Sequence, residues 1–106
     1  ARSADAEATA ARLEARLNAY QGLALLHRTI LDLDARNFGT ANQRLDAAAA
    51  TLTRVDEDRL DPGVARELQA VREELAALDL RVAEDLAGQR ATLAGLAERL
   101  DGALGG

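Results

Sequence analysis

Residues 61–103 read DPGVARELQAVREELAALDLRVAEDLAGQRATLAGLAERLDGA, and the apolar positions of this stretch decide the fold. Asp61 is a favourable N-cap and Pro62 suits the first position of a helix, so a helix is predicted to start here. From Val64 onward, apolar residues recur at spacings of 4, 3, 4, 3 and 4. This is the period of an amphipathic helix, and it predicts one over about 62–101.

The path of this third helix is open to two interpretations. Leu86 comes one residue late for a strict heptad, and Gly88 follows soon after it. A late residue locally unwinds a coiled coil without ending the helix, whereas a glycine can end it. Because no good N-cap lies between Gly88 and Thr92, we expect the helix to continue. A break near Gly88 would instead produce a fourth helix that folds back.

Two helices are predicted upstream. The first, over about 4–36, carries two neighbouring apolar stripes, one beginning at Leu13 and the other at Leu23. Asn37-Phe38-Gly39 then ends this helix, because Asn and Gly tolerate the left-handed conformation found at helix ends. The second helix, over about 40–56, has one clean stripe with spacings of 4, 3, 4 and 3. That stripe consists of Ala41, Leu45, Ala48, Leu52 and Val55.

The predicted fold class is all-α, with a single domain over residues 1–106. We expect an antiparallel, coiled-coil-like bundle of three helices, two long and one short, or of four helices if the third breaks near Gly88. In the three-helix arrangement the two long helices overhang at opposite ends, because the second helix is much shorter. Leucines on the overhangs then lack partners within the chain. The interaction surface expected from this argument consists of Leu13, Leu17, Tyr20, Leu86, Leu93, Leu96 and Leu100.

Few residues of this chain are of the types that catalyse reactions or bind cofactors and metals. All 13 basic residues are arginines, dispersed among acidic residues in a chain of net charge −5. Nucleic-acid binding needs clustered basic residues, so no nucleic-acid partner is expected. The chain has no cysteine and a single histidine, and it shows no phosphate-binding loop or nucleophile motif. We expect no catalytic residue, no cofactor and no metal site. The bias toward Ala, Leu and Arg without Lys is typical of a high-GC genome.

The expected function is a non-enzymatic scaffold or oligomerisation module that works through protein–protein interaction. It would bury leucine stripes against itself, as a homodimer, or against a helical protein partner. The alternative from another class is a ligand- or metal-binding four-helix bundle in which His27 and interior polar groups line the site. A weaker alternative is a membrane-surface amphipathic protein, although such helices usually carry a Lys/Arg-rich polar face.

Residues 33–45, followed by Ala48, Leu52 and residues 66–80, resemble the HemX-like family of bacterial membrane-anchored proteins. The resemblance lies in the corner, the small residues and the leucine spacing. It implies an extracytoplasmic, periplasmic scaffold held by a single membrane span upstream, and a chain that begins at Ala1 is expected to be a fragment of such a protein. Family members often carry a methyltransferase name, but no methyl-donor site is recognised in this sequence.

Overall fold

The computed structural model describes residues 2–105. Within this range the chain forms four α-helices: α1 (Arg2–Asp34), α2 (Phe38–Thr53), α3 (Pro62–Ala77) and α4 (Leu86–Ala103). A short 3₁₀ helix, Glu57–Arg59, lies between α2 and α3, and the described range contains no strand. The all-α fold class is therefore confirmed, with four helices instead of three. The molecule is elongated, with principal extents of 57 × 21 × 21 Å.

The prediction of a continuous third helix is wrong. α3 ends at Ala77, and residues 78–85 form a non-helical connection to α4. The break does not lie at Gly88, which belongs to the first turn of α4. Asp85 is the N-cap of α4, and its side chain accepts a hydrogen bond from the backbone N–H of Ala87 at 3.2 Å. A good N-cap is thus present, but it lies upstream of the glycine.

Side-chain amides from two helices hold the connection between α3 and α4. Asn42 of α2 donates to the carbonyl oxygen of Leu80 at 3.0 Å and accepts from its backbone N–H at 2.9 Å. Gln89 of α4 likewise donates to the carbonyl oxygen of Arg81 at 2.9 Å and accepts from its N–H at 2.7 Å. A backbone group that leaves a helix needs another partner, since an unpaired buried one costs about 1–3 kcal/mol. These two amides supply the partners that a continuous helix would have supplied.

The corner between α1 and α2 also differs in detail from its prediction. The residue in the left-handed conformation is Arg36, with φ of 60°, and not Asn37 or Gly39. Asn37 serves instead as the N-cap of α2, where its side chain accepts from the N–H of Thr40 at 3.3 Å. The Arg36 N–H donates to the carbonyl oxygen of Leu33, which satisfies one of the last carbonyl groups of α1.

Each of the four helices contributes one buried stripe to the core. In α2 this is the predicted stripe, and all five of its residues are buried, although the last of them, Val55, lies just beyond the helix end at Thr53. In α1 it is the stripe that begins at Leu23, continuing through Leu26, Ile30 and Leu33. Burying a leucine side chain contributes about 1.5–3 kcal/mol, so these stripes are the main source of stability. The fully buried leucines of the four stripes are Leu26, Leu33, Leu45, Leu52, Leu68, Leu75, Leu93 and Leu100.

Candidate interaction surface on the first helix

The other apolar stripe of α1 faces solvent. We call it the outer stripe; its residues recur at spacings of 4, 3, 4, 3 and 4, and each one is exposed. Leu13, Leu17 and Leu31 expose 63%, 57% and 66% of their surface, and Tyr20 exposes 38%. An apolar surface that is continuous along a helix is typical of an interaction site, unlike single scattered leucines. The outer stripe consists of Leu13, Leu17, Tyr20, Ala24, His27 and Leu31, and it is about 27 Å long.

Small residues explain why the other face of α1 turns inward. Ala15, Ala19 and Gly22 are buried there. At Gly22, an added Cβ would lie 2.5 Å from Cδ2 of Leu52, well inside contact distance. α1 therefore approaches α2 more closely at this point than any larger residue allows. The close approach fixes the rotation of α1 and leaves the outer stripe uncovered.

Tyr20 links the outer stripe to the end of α4. Its hydroxyl donates to the carbonyl oxygen of Leu104 at 2.9 Å, and the guanidinium of Arg16 donates to the same oxygen. The carbonyl groups at a helix C-terminus have no partner within the helix, so these two side chains satisfy one of them. The Arg16 guanidinium also lies 5.9 Å from the centre of the Tyr20 ring. The ring is thereby held in place while part of it remains open to solvent.

The α4 residues of the predicted surface lie elsewhere. Leu93, Leu96 and Leu100 expose at most 4% of their surface, and Leu86 is half-buried against the same core. The expectation that they lie on an overhanging helix end is wrong, because α4 folds back onto the bundle. Of the predicted surface, the structure brings together only Leu13, Leu17 and Tyr20 in an exposed position.

The first turns of α1 extend beyond the core. Residues 3–14 contain no buried residue, and the first buried position along the helix is Ala15. The Arg90 guanidinium, near the start of α4, binds the Asp34 carboxylate at 2.7 Å. Because Tyr20 already meets the end of α4, that helix covers α1 only from about Arg16 to Asp34. The outer stripe therefore begins where α1 has the fewest neighbours.

A row of polar residues flanks the outer stripe at heptad spacing: Glu7, Glu14, Gln21 and Arg28. The row is acidic toward the start of α1 and basic toward its end. Neither Glu14 nor Arg28 forms an ion pair with any residue in the described range 2–105. Asp32, one turn beyond Arg28, is instead bound by Arg44 at 2.6 Å. The charges beside the outer stripe are thus available to a partner.

Other charges are used within the chain. Arg99 of α4 binds both Glu67, at 2.6 Å, and Glu74 of α3. The hydrogen bonds that Arg99 donates to Glu67 and then to Glu74 raise its pKa, and the bond that Arg90 donates to Asp34 raises the pKa of Arg90 in the same way. Both arginines are exposed, so each ion pair contributes little to stability. These ion pairs join α4 to Glu67 and Glu74 of α3 and to Asp34 at the end of α1.

The single histidine and a groove lined partly by polar residues lie on the surface, whereas a ligand-binding bundle needs polar groups in its core. His27 is exposed on the outer stripe, so it does not line an interior site. The one buried polar side chain in residues 3–105 is Thr29, whose hydroxyl donates to the Leu25 carbonyl oxygen at 2.9 Å. A surface groove of about 540 Å³ runs between α1 and α2, and its polar lining includes Gln21, Arg28 and Arg54. No group of three or more metal-ligating side chains occurs among the described residues.

Comparison with models of protein families, with curated proteins and with solved structures finds no match for this chain. In the part of the chain that the structure describes, no helix is both long enough and apolar enough to cross a membrane.

Proposed function

We propose that this protein is a non-enzymatic self-association module and that its contact surface is the outer stripe of α1. The observation that carries the proposal is the exposure of Leu13, Leu17 and Leu31, each above half, at heptad spacing on one helix face. The opposite face of the same helix is packed into the core, so refolding of the bundle is not needed to present this surface. A helix of a partner chain that lies along α1 would cover the whole outer stripe.

The proposed mechanism is coiled-coil packing between two copies of α1. Heptad-spaced apolar side chains of one helix insert between those of another, and the energy comes from removing apolar surface from water. The same packing is proposed within the chain, as an antiparallel, coiled-coil-like bundle. The contacts Asp34–Arg90 and Tyr20–Leu104 support it, since the end of α1 meets the start of α4 and the middle of α1 meets the end of α4.

The size of the stripe sets the strength of the association. A strip about 27 Å long and one helix, about 10 Å, wide covers a few hundred Å² on each chain. Stable interfaces bury about 800 Å² on each partner, and smaller ones are weak or transient. We therefore expect a dimer that dissociates on dilution, which suits a module that adds to the assembly of a larger protein.

The resemblance to the HemX-like family supports a wider setting for this proposal. The chain would then be part of a scaffold on the extracytoplasmic side of a membrane, anchored through a segment outside residues 1–106. That location stays a prediction, and protease digestion of the parent protein from the outer side of intact inner membranes would test it. Protection of this part of the parent protein would contradict an extracytoplasmic location.

The proposal is tested by shortening one leucine of the outer stripe. Leu17→Ala is expected to weaken the dimer by about tenfold or more, because each dimer loses the apolar surface of two leucines. Val82→Ala is the matched control: Val82 is 77% exposed but lies in the connection between α3 and α4. Sedimentation equilibrium over a range of concentrations measures both dissociation constants. Equal dissociation constants for the two variants would contradict a contact surface on α1.

A further inference from the structure

We infer that the outer stripe binds a second copy of this chain in antiparallel orientation, with the two-fold axis beside Gln21. The inference rests on the proposed function and adds to it the partner, the orientation and the register. Two properties of α1 support it: the order of large and small residues along the outer stripe, and the order of charges beside that stripe.

The antiparallel orientation matches the sizes of the side chains in the two copies. In an antiparallel pair centred beside Gln21, Leu13 lies opposite Leu31 of the second copy, Leu17 opposite His27, and Tyr20 opposite Ala24. The largest side chain of the stripe thus meets the smallest, which gives layers of similar width. A parallel pair would place Tyr20 against Tyr20 and Ala24 against Ala24. It would then alternate crowded layers with empty ones, and both are unfavourable in a packed interface.

The antiparallel orientation also matches the charges beside the outer stripes of the two copies. In the same antiparallel register, the flanking row of one copy lies beside the flanking row of the other, running in the opposite direction. Glu14 then lies beside Arg28 of the second copy, and the symmetry produces this pair twice. In a parallel pair, Arg28 lies beside Leu23 of the second copy and meets no acidic group. Opposite charges at such positions set partner choice and orientation in coiled coils.

The register follows from the leucines. A shift of one heptad toward the start of α1 would keep an ion pair, between Glu7 and Arg28 of the second copy. However, it would place Leu31 opposite Ala6 and Leu13 opposite Ala24. Both leucine–leucine layers would be replaced by leucine–alanine layers, which fill the space between two helices less well. The register centred beside Gln21 pairs Leu13 with Leu31 in two layers and confines the overlap to residues 13–31, where all four exposed large residues of the outer stripe lie.

Spin labelling tests the orientation directly. The chain contains no cysteine, so Thr9→Cys takes one label at an exposed position beside the outer stripe. At 1.5 Å per residue, the inferred dimer separates the two labels by about 40 Å along the helix axis. The register shifted by one heptad gives about 30 Å, and a parallel dimer gives less than about 20 Å. Pulsed electron spin resonance at high protein concentration distinguishes these three distances.

Charge reversal tests the predicted pair. Glu14→Arg and Arg28→Glu are each expected to weaken the dimer roughly three- to tenfold, since each reversal removes two exposed ion pairs and introduces two repulsions. The double variant restores the pairs with opposite polarity and is expected to return to the wild-type dissociation constant. Neither residue forms an ion pair within the chain, so folding is not expected to change.

The outcomes separate the inference from the proposed function. A label distance of about 40 Å together with restored binding in the double variant supports the inference. A shorter distance, or a double variant weaker than either single variant, overturns the antiparallel register while self-association stands. A chain that stays monomeric at the highest concentration overturns both, and the outer stripe then belongs to an interface with a different protein.

Discussion

Replacing Leu93 with alanine is expected to lower the free energy of unfolding by about 2 to 5 kcal/mol. Leu93 lies in α4 and is fully buried between the helices of its own chain. Removing a buried leucine loses its transfer free energy and leaves a cavity that the surroundings fill only in part. Chemical denaturation at a concentration where the chain is monomeric measures this loss, and the loss should not depend on protein concentration.

Leu31→Ala is the matched control for Leu93→Ala. Leu31 is also a helical leucine, but 66% of its surface is exposed. We expect it to change the stability of the monomer by less than about 0.5 kcal/mol, because most of its side chain is already exposed to solvent in the monomer. If Leu93→Ala left stability unchanged and instead reduced the mass in solution, α4 would be an intermolecular helix. The fold described above would then be contradicted.

Replacing Asn42 with alanine is expected to cost about 2 to 4 kcal/mol, although Asn42 is polar and only half-buried. Its side-chain amide makes both hydrogen bonds that hold Leu80, and the residue Leu80 is 96% buried, with 4% exposed. Without the amide, one N–H and one C=O group near the core lose their partners, which costs more than the two bonds contribute. Alanine's higher helix propensity offsets only a few tenths of a kcal/mol of this loss.

Gln43→Ala is the matched control for this loss, because Gln43 is the exposed neighbour on the same helix. It should be close to neutral. Amide hydrogen exchange gives a second readout: the Leu80 N–H should lose protection in Asn42→Ala before the helices do. An Asn42→Ala variant as stable as Gln43→Ala, with Leu80 still protected, would show that the connection does not depend on this amide.

The sequence predicts both a helix and its buried face where the helix carries only one apolar stripe. The α2 stripe from Ala41 to Val55 is such a case, and all of it is buried. Pro62 likewise marks the start of α3, since proline favours the first helical position. The connection at residues 78–85 could not be predicted in this way. Leu78 and Val82 keep an apolar spacing that also fits a continuing helix, and the hydrogen bonds between Asn42 and Leu80 join residues 38 positions apart.

The sequence does contain an indication of the fourth helix, but it is a single residue. Asp85 is an N-cap residue immediately before the last apolar run, and it alone distinguishes a helix start from a stutter. Glycine is the more conspicuous helix breaker, so the sequence favours Gly88 as the place of any break, and no good N-cap lies between it and Thr92. Gly88 instead lies within the first turn of α4, where an added Cβ would be 2.9 Å from the Asp85 carboxylate.

The outer stripe could be recognised only in part. Both stripes of α1 have heptad spacing, so periodicity does not decide which of them turns toward the bundle. Small residues such as Gly22 favour burial of one stripe, because they let α1 pack closely against Leu52 of α2. This contact depends on the position of another helix, so the sequence of α1 alone does not reveal it. Leu13, Leu17 and Tyr20 were predicted as interface residues from their place near the start of a long helix. Ala24, His27 and Leu31 extend the same exposed face.

The central claim is that this chain associates with itself through the outer stripe of α1. Light scattering behind a sizing column, over concentrations from micromolar to millimolar, tests it most directly. The chain has a mass of 11.2 kDa, so we expect the measured mass to rise from that value toward twice it as concentration increases. A mass that stays at 11.2 kDa over the whole range would contradict self-association.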